Sequence, residues 1–406
     1  MAGENNNYAV FTACNLAYLP KALALAASMR EHANARLKIY LFDRKAPLTV
    51  APELAEVIWI EDVGAPALYN LAFKYDVTEL STCLKPWLTL ELLKTSARVI
   101  YLDPDILVYG SLAPILADLD AHPIVLTPHY TTPHSNSLPD SDMAMMRFGS
   151  FNLGFYAVTN GEQALAFLNW WSDRCLRFGF FETQFGLSTD QKWVSIAPCF
   201  FKDLYVSFNP GYNAAFWNSH ERTLTKDAQG RWLVNGQYPL VFFHFSSFHD
   251  AVPEDLSRRP FSEKNKKRAD LAEIAVAYKS AVEAQKNPAA AMPYAFDYMS
   301  RGEYISPTLR RAYACVQAEL PAGHDPFDSK GPVGNFARKN HLFESRPAAY
   351  APGGFGDLPA HKGKFAAIYF MMRLILRVMG PNQFTNFSRL LVYLSSYRQN
   401  RGLWKI

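Results

Sequence analysis

The stretch Val99-Ile100-Tyr101-Leu102-Asp103-Pro104-Asp105-Ile106-Leu107-Val108 constrains this chain more than any other. Four apolar residues read as a buried strand, two carboxylates spaced one apart follow, and a second apolar run closes the stretch. Parallel α/β sheets gather their ligands outside the carboxyl ends of the strands. Two carboxylates at such a mouth suit a hard divalent cation, which is often shared with phosphate oxygens. Surface turns also use Asp-x-Asp. Its setting between apolar strands, downstream of a helix carrying Lys85-Pro86-Trp87, gives it weight.

The flanking pattern supplies the sheet. Tyr8–Thr12 reads as a first strand, Leu19–Glu31 has helical spacing, Leu37–Phe42 is a second strand ending at Asp43, and Glu56–Ile60 is a third. Thr78–Thr95 reads as one helix with Thr78 and Ser81 as caps. Arg98–Leu102 is the strand that delivers the aspartates. Strands alternating with helices predict an α/β fold with a mostly parallel sheet. Beyond residue 120 the pattern loosens. Pro123–Pro139 reads as a loop, Phe151–Val158 as a strand, Glu162–Leu176 as a helix and Leu240–Phe245 as a very apolar strand holding His244. Residues 250–285 are charged and helix-forming. A Pro/Gly-rich stretch with Gly331, Pro332 and Gly334 then reads as a linker or wrapping arm.

At 406 residues the chain is long for one core. Hydrophobic content of 49% against 19% charged residues excludes a disordered chain. Cys14, Cys83, Cys175, Cys199 and Cys315 form no CxxC pair, so they read as thiols of a reducing compartment. The first residues lack the basic and apolar regions of a signal peptide, and no window reaches the roughly 18 uncharged apolar residues of a spanning helix. The expectation is a cytoplasmic chain, soluble or peripheral. From His361 to Ile406 there are eight basic residues and no acid, so the rest of this +4 chain carries −4. Between Phe365 and Met379, 13 of 15 residues are apolar, the exceptions being Arg373 and Arg377. A basic apolar helix of this kind either lies in an anionic membrane interface or packs on the body with its arginines reaching outward.

Other residues extend the candidate site. His244 is either a hydrogen-bonded core histidine or a third ligand, and imidazole beside two carboxylates suits Mn²⁺ better than Mg²⁺. Asp190-Gln191 is either a helix cap or a pair that meets a reacting sugar. Lys85 would neutralise a phosphate or sit solvated at the surface. His129, and the amides and phenol of Asn209-Pro-Gly-Tyr212-Asn213, are candidates for hydroxyl recognition on an acceptor.

In order, Thr12-Ala13-Cys14-Asn15-x-x-Tyr18, the Lys85 helix, Tyr101-Leu-Asp-Pro-Asp105, Phe151-Asn152-Leu-Gly154-Phe155, Asp190-Gln191 and His244 resemble the GT-A glycosyltransferases. The likeness is to the retaining, metal-dependent group that includes bacterial lipopolysaccharide galactosyltransferases and glycogenin, and it covers roughly residues 8–250. It implies a Rossmann-like GT-A catalytic domain over 1–255; by composition and charge pattern, a helical or irregular extension over 256–360 and basic amphipathic helices over 361–406 follow it. It implies that Thr12, Ala13, Cys14, Asn15 and Tyr18 line a nucleoside pocket, with Asp43 near the base or ribose. Asp103, Asp105 and His244 would hold Mn²⁺ or Mg²⁺ on the donor diphosphate, with Lys85 and Asn152 near the donor and Asp190 and Gln191 at its sugar.

The group's late motif, His-x-x-Gly-x-x-Lys-Pro-Trp, is replaced here by His244-Phe-Ser-Ser247-Phe-His249-Asp250, without the glycine and lysine. Arg258, Arg259 or Lys264 would then stand in for the lysine. If transfer were inverting, Asp190, Asp142 or Glu182 would supply the base. The implied activity is transfer of a hexose from a nucleotide sugar, UDP-linked by default, to a glycan or lipid-linked acceptor of surface polysaccharide, with no nucleic-acid partner. A sugar nucleotidyltransferase is one alternative. Against it, Thr12–Tyr18 has no glycine and no basic residue. A non-catalytic carbohydrate-binding or scaffold module is the other.

Overall fold

The computed structural model describes residues 7–133, 142–248, 250–257, 268–344 and 362–406. The chain divides into two units. One is residues 1–66 with 77–295; the other is residues 67–76 with 296–406.

The first unit is built on a seven-stranded sheet. Its strands are β1 (Tyr8–Cys14), β2 (Leu37–Leu41), β3 (Ala55–Trp59), β4 (Arg98–Leu102), β6 (Ile124–Pro128), β7 (Phe151–Thr159) and the short strand Leu204–Val206; the three-residue strand β5 (Ile106–Val108), between β4 and β6 in the chain, belongs to another sheet. The order is Leu204–Val206, β6, β7, β4, β1, β2, β3. Every pairing is parallel except those of β7, which runs antiparallel to both β4 and β6. The fold is therefore α/β with a mostly parallel sheet, as the strand–helix alternation predicts. Parallel neighbours need a crossover. The helix Leu19–Ala33 supplies the first one, burying Leu19, Ala22, Leu23, Leu25, Ala26 and Met29. Its Ser28 hydroxyl accepts the Val108 N–H at 3.1 Å, which ties that helix to β5.

Several expectations are corrected. The single helix over Thr78–Thr95 is two, Val77–Cys83 and Lys85–Leu93. Pro86 has no N–H to give the preceding turn, so it starts a new helix instead of continuing one. The loop expected from Pro123 contains strand β6. The flanking prolines disguise it, and Pro128 is tolerated because the ladder shifts register there. His244 does not lie on the parallel sheet. Its strand, Phe242–His244, pairs antiparallel with β5 and parallel with Ala214–Ala215 in a separate three-stranded sheet. The helix Ala269–Glu283 covers this sheet, with Tyr278 stacked on Phe245 at 3.9 Å between ring centroids.

The second unit joins a short early helix, Leu68–Lys74, to the late helices Pro307–Val316, Pro332–Lys339 and Lys362–Leu394. Arg310 is 2% exposed, and its guanidinium donates to the carbonyls of Ala72, Phe73, Tyr75 and Phe296 and to Asp297. Five donors in a fixed fork suit such a cluster of acceptors, where a lysine would reach fewer. The Pro/Gly-rich stretch begins in a helix, not a linker: Gly334 lies in Pro332–Lys339, where a Cβ would meet the Ser329 carbonyl oxygen, while Pro347, Pro352, Gly353 and Gly354 of that stretch lie outside the described residues. In Lys362–Leu394 the helix is interrupted at Gly380 (φ 75°, ψ 164°), followed by Pro381.

Candidate active site

The sheet order sets the location. From β1 the chain moves outward to β2 and β3, then returns to place β4 on the other flank of β1. The strand order thus reverses between β1 and β4, and ligands of open α/β sheets bind outside the carboxyl ends at such a point. Asn15 follows the carboxyl end of β1, Asp43 lies just past that of β2, and Asp103 past that of β4.

The Asp-Pro-Asp turn is short and doubly anchored. The Asp103 N–H donates to the Gly154 carbonyl of β7 at 2.8 Å, and the Ile106 N–H closes back on the Asp103 carbonyl at 3.1 Å. The chain then enters β5, whose register sets Ile106 opposite His244. That register carries His244 to the aspartates: Nε2 lies 3.1 Å from Asp105 Oδ1 and 3.8 Å from Asp103 Oδ2. One ligand atom from each of the three residues falls within 4.8 Å of the others. The donor set fits a divalent cation, since cis ligands of a small octahedral ion stand about 3 Å apart. Burial pushes the Asp105 carboxyl up, but the His244 charge and hydrogen bond, with Lys21, outweigh it and bring the pKa down to about 2.

Lys85 is neither solvated nor free to swing. Its side chain is 4% exposed, and Nζ lies 3.1 Å from Asp103 Oδ1, 3.4 Å from Asp190 Oδ2 and 3.2 Å from the Leu153 carbonyl. Burial works against the ammonium, yet the two carboxylates more than offset it and its pKa is raised. Asp190 is raised too, by burial first, with Lys85 opposing. Tyr101 donates to Asp103 Oδ1 at 2.6 Å, so that carboxylate is oriented from two sides.

The Asp190 side chain makes no cap bond; it accepts from the Thr189 hydroxyl at 3.0 Å. Thr189 holds a left-handed backbone (φ 47°), a conformation a β-branched residue adopts at a cost. The Gln191 amide bridges two backbone segments: Nε2 donates to the Phe148 carbonyl and Oε1 accepts the Leu153 N–H. One lone pair and one amide proton remain for another partner.

A chain of amides stands behind His244. Asn152 Oδ1 accepts the Gly154 N–H at 3.1 Å and an Nδ2 proton of Asn213 at 3.0 Å. Asn213 Nδ2 also reaches Thr127 Oγ1 at 3.0 Å, and Asn213 Oδ1 lies 3.2 Å from His244 Nδ1. Trp217 meets the imidazole edge to face, with centroids 5.1 Å apart.

The other sequence candidates fall into two groups. Thr12, Ala13 and Cys14 are buried in β1, the Thr12 hydroxyl has no partner among the described residues, and burial pushes the Cys14 thiol up. Asn15 Oδ1 accepts the Tyr18 N–H at 3.2 Å, and Tyr18 is 41% exposed. Asp43 is buried and accepts the N–H groups of Arg44 and Ala295. The expectation that Asn209, Tyr212 and Asn213 meet an acceptor is not met by their geometry. Asn209 caps its own turn by accepting the Gly211 N–H; the fully buried Tyr212 donates to Asp118 at 3.0 Å; Asn213 is 1% exposed and bound to Thr127, Asn152 and His244. Turn composition misled here because side chains that suit hydroxyls suit internal networks equally. His129 is half-buried, with its ring nitrogens near the Ser150 carbonyl and the Asn152 amide. Arg258, Arg259, Lys264 and His249 lie outside the described residues. Sequence reasoning missed the structural weight of Tyr101, Gly154 and Trp217. A glycine inside the nine-residue strand β7 was the available signal, since strand glycines mark close approaches.

No protein-family model matches the chain. Two curated Bacillus subtilis proteins, both described as uncharacterized, are similar to it in part. YfnF is 27% identical over 185 residues, which is 45% of this chain and 60% of YfnF. YfnD is 31% identical over 150 residues, which is 36% of this chain and 46% of YfnD. The chain thus spans less than two thirds of the length of either relative. Among solved structures, the galactosyltransferase LgtC with donor and acceptor sugar analogues aligns over 68% of this chain and 96% of its own, at 14% identity and a TM-score of 0.42. The glycosyltransferase GlyE of Streptococcus pneumoniae aligns over 68% and 63%, at 18% identity and 0.38. Mouse xyloside xylosyltransferase 1 aligns over 59% and 97%, at 13% identity and 0.35.

Proposed function

We propose that this chain is a metal-dependent glycosyltransferase that moves a hexose from a nucleoside-diphosphate sugar to a glycan or glycolipid acceptor. The observation that carries the reading is the Asp103–Asp105–His244 group beside the point where the strand order reverses. A UDP-linked donor, Mn²⁺ in preference to Mg²⁺, and an acceptor from surface polysaccharide complete it.

A cation held by Asp103, Asp105 and His244 would supply Lewis-acid stabilisation of the departing diphosphate. Lys85 and Tyr101 fix the Asp103 carboxylate, so it need not reorganise as charge develops. Gln191 and Asn152 would orient the donor sugar, and Asn15 and Tyr18 would meet the nucleoside. The reading takes transfer with retention. The acceptor hydroxyl attacks C1 from the face of the leaving group, the C1–O bond to the diphosphate breaks, and the acceptor proton passes to the departing phosphate oxygen. What supports retention is that the candidate bases are engaged elsewhere: Asp190 with Lys85 and Thr189, Asp142 with the Tyr130 hydroxyl, and Glu182 in a buried position.

The reading extends to a cytoplasmic membrane face, where lipid-linked acceptors reside. No described helix is long and apolar enough to cross a membrane. From Ala366 to Ser395, however, no side chain is buried, and Phe370, Leu374 and Val378 are 71%, 52% and 79% exposed. Arg373 and Arg377, one turn apart, form a narrow basic stripe on the otherwise apolar stretch from Phe365 to Met379. A second copy carrying the same unopposed positive charge would be repelled. An anionic lipid surface would be attracted.

Calorimetry with UDP, GDP and CDP, each with and without Mn²⁺, tests the activity reading. Mn²⁺-dependent binding of one nucleotide, lost in Asp105→Asn, is expected. Binding of none of the three overturns it.

A further inference from the structure

We infer that Lys21 is the cation that meets the phosphates of the nucleoside-diphosphate donor; this rests on the donor reading above. Two elements leave the carboxyl edge of the sheet side by side. The helix Leu19–Ala33 starts a few residues past β1, and β5 starts just past the Asp103–Asp105 turn. They are tied together where the Ser28 hydroxyl accepts the Val108 N–H at 3.1 Å. Lys21 comes seven residues before Ser28, which puts it on the same helix face, two turns and about 10 Å back. Asp105 comes three residues before Val108, also about 10 Å back along an extended chain. The two residues therefore stand level, at the edge where the sheet gathers its ligands. Consistent with this, Lys21 is among the charges that hold the Asp105 carboxyl below its usual range.

Lys21 is available for this task in a way that Lys85 is not. Lys85 is committed to Asp103 and Asp190. Lys21 is half-buried and forms no ion pair among the described residues. Its ammonium rests 4.2 Å from the ring centroid of Tyr18, itself 41% exposed. A cation–π contact at an exposed ring is a weak hold, readily exchanged for an anion. The position also runs against the helix. A lysine in the first turn stands at the positive end of the dipole, and both favour negative charge in front of them. Charge balance gives that anion its reason. A divalent ion together with Lys85 would cancel the carboxylates of Asp103, Asp105 and Asp190, so a diphosphate brings charge that this group leaves unmet.

The test uses the full chain with Lys21→Met, which keeps an apolar stem, and Lys21→Arg, which keeps the charge. Calorimetry measures Mn²⁺ alone, then UDP, GDP, CDP and inorganic pyrophosphate, each with Mn²⁺. Lys21→Met should bind Mn²⁺ alone at least as tightly as the natural chain, because a repelling charge is gone. It should bind the nucleotide about 10- to 100-fold more weakly, the loss of one charge-assisted hydrogen bond. Lys21→Arg should keep most of the affinity. Opposite signs for metal and nucleotide separate this role from a packing role, which would weaken both. Unchanged nucleotide affinity in Lys21→Met overturns the inference, and so does a parallel loss of Mn²⁺ and nucleotide. If the natural chain binds pyrophosphate but none of the three nucleotides, the donor reading fails by itself. Loss of pyrophosphate in Lys21→Met then still supports Lys21 as a phosphate cation, and its retention overturns that role. A natural chain that binds neither overturns both.

Discussion

Gly154 stands where any side chain would collide with His244. A Cβ there would lie 2.4 Å from Cε1 and 2.7 Å from Nδ1 of the imidazole, and 2.9 Å from Asn152 Oδ1. None of these is the far end of a flexible chain. Gly154→Ala should therefore displace the histidine and lower stability by about 1–3 kcal/mol, the usual cost of overpacking. Urea unfolding checks the stability, and Mn²⁺ titration of the folded variant checks the displacement. An alanine variant with unchanged stability and Mn²⁺ affinity would show that His244 has another place to go.

Lys85 is the cation that the half-buried Asp103 carboxylate and the buried Asp190 carboxylate share. Lys85→Met leaves Asp103 and Asp190 facing each other without it, and the expected loss is roughly 3–5 kcal/mol. Adding Asp190→Asn removes one of the stranded charges and should restore part of that loss, because contacting residues are not additive. Chemical denaturation of the two single variants and the double variant measures the coupling. Simple additivity would contradict the shared-cation description.

Asp270 supplies a pH signature away from the site. Burial raises its carboxyl, but Arg268 and the N–H groups of Leu224 and Leu271 outweigh this, so the folded pKa lies below the ordinary value. A depressed carboxyl contributes stability above its unfolded pKa of about 3.9, and that contribution is lost as pH falls through the lower folded value. The natural chain should lose more stability than Asp270→Asn on acidification below about pH 4. Thermal melts across that range would show it, and parallel curves would refute it.

The bare C-terminal helix makes a solution prediction. Vesicles of phosphatidylcholine with phosphatidylglycerol should sediment the protein, and phosphatidylcholine alone should not. Replacing Arg373 and Arg377 by serine should weaken binding about fivefold for each residue. Replacing Leu374 and Val378 by serine should also weaken it. Self-association in ultracentrifugation, abolished by the serine pair at 374 and 378 and unaccompanied by vesicle binding, would assign the surface to a second copy.

The parts legible in the sequence were those written in local pattern. β1 to β4 are apolar runs with helices between them, and their ends fell within two residues of expectation. The aspartates were legible because they terminate such a run. His244 was found as a residue of an apolar strand, although that strand belongs to another sheet: an apolar run signals burial and says nothing about its neighbour. Strand β6 was hidden by prolines that mark its ends. The chain of amides behind His244 was hidden for a different reason. Its members come from β6, β7, the Tyr212–Ala214 segment and the strand of His244, and only the tertiary register brings them together.

The clamp around Arg310 bears on the order in which the chain can be completed. The helix Leu68–Lys74 buries Leu68, Leu71, Ala72 and Phe73, and the arginine that gathers its last carbonyls comes more than 230 residues later. During synthesis this early segment must wait, with its greasy side uncovered, until the ribosome has delivered Pro307–Val316. A version of the protein shortened to the catalytic candidate region would keep the early helix and lose its cover. Such a fragment should clump unless residues 67–76 are replaced by a polar loop.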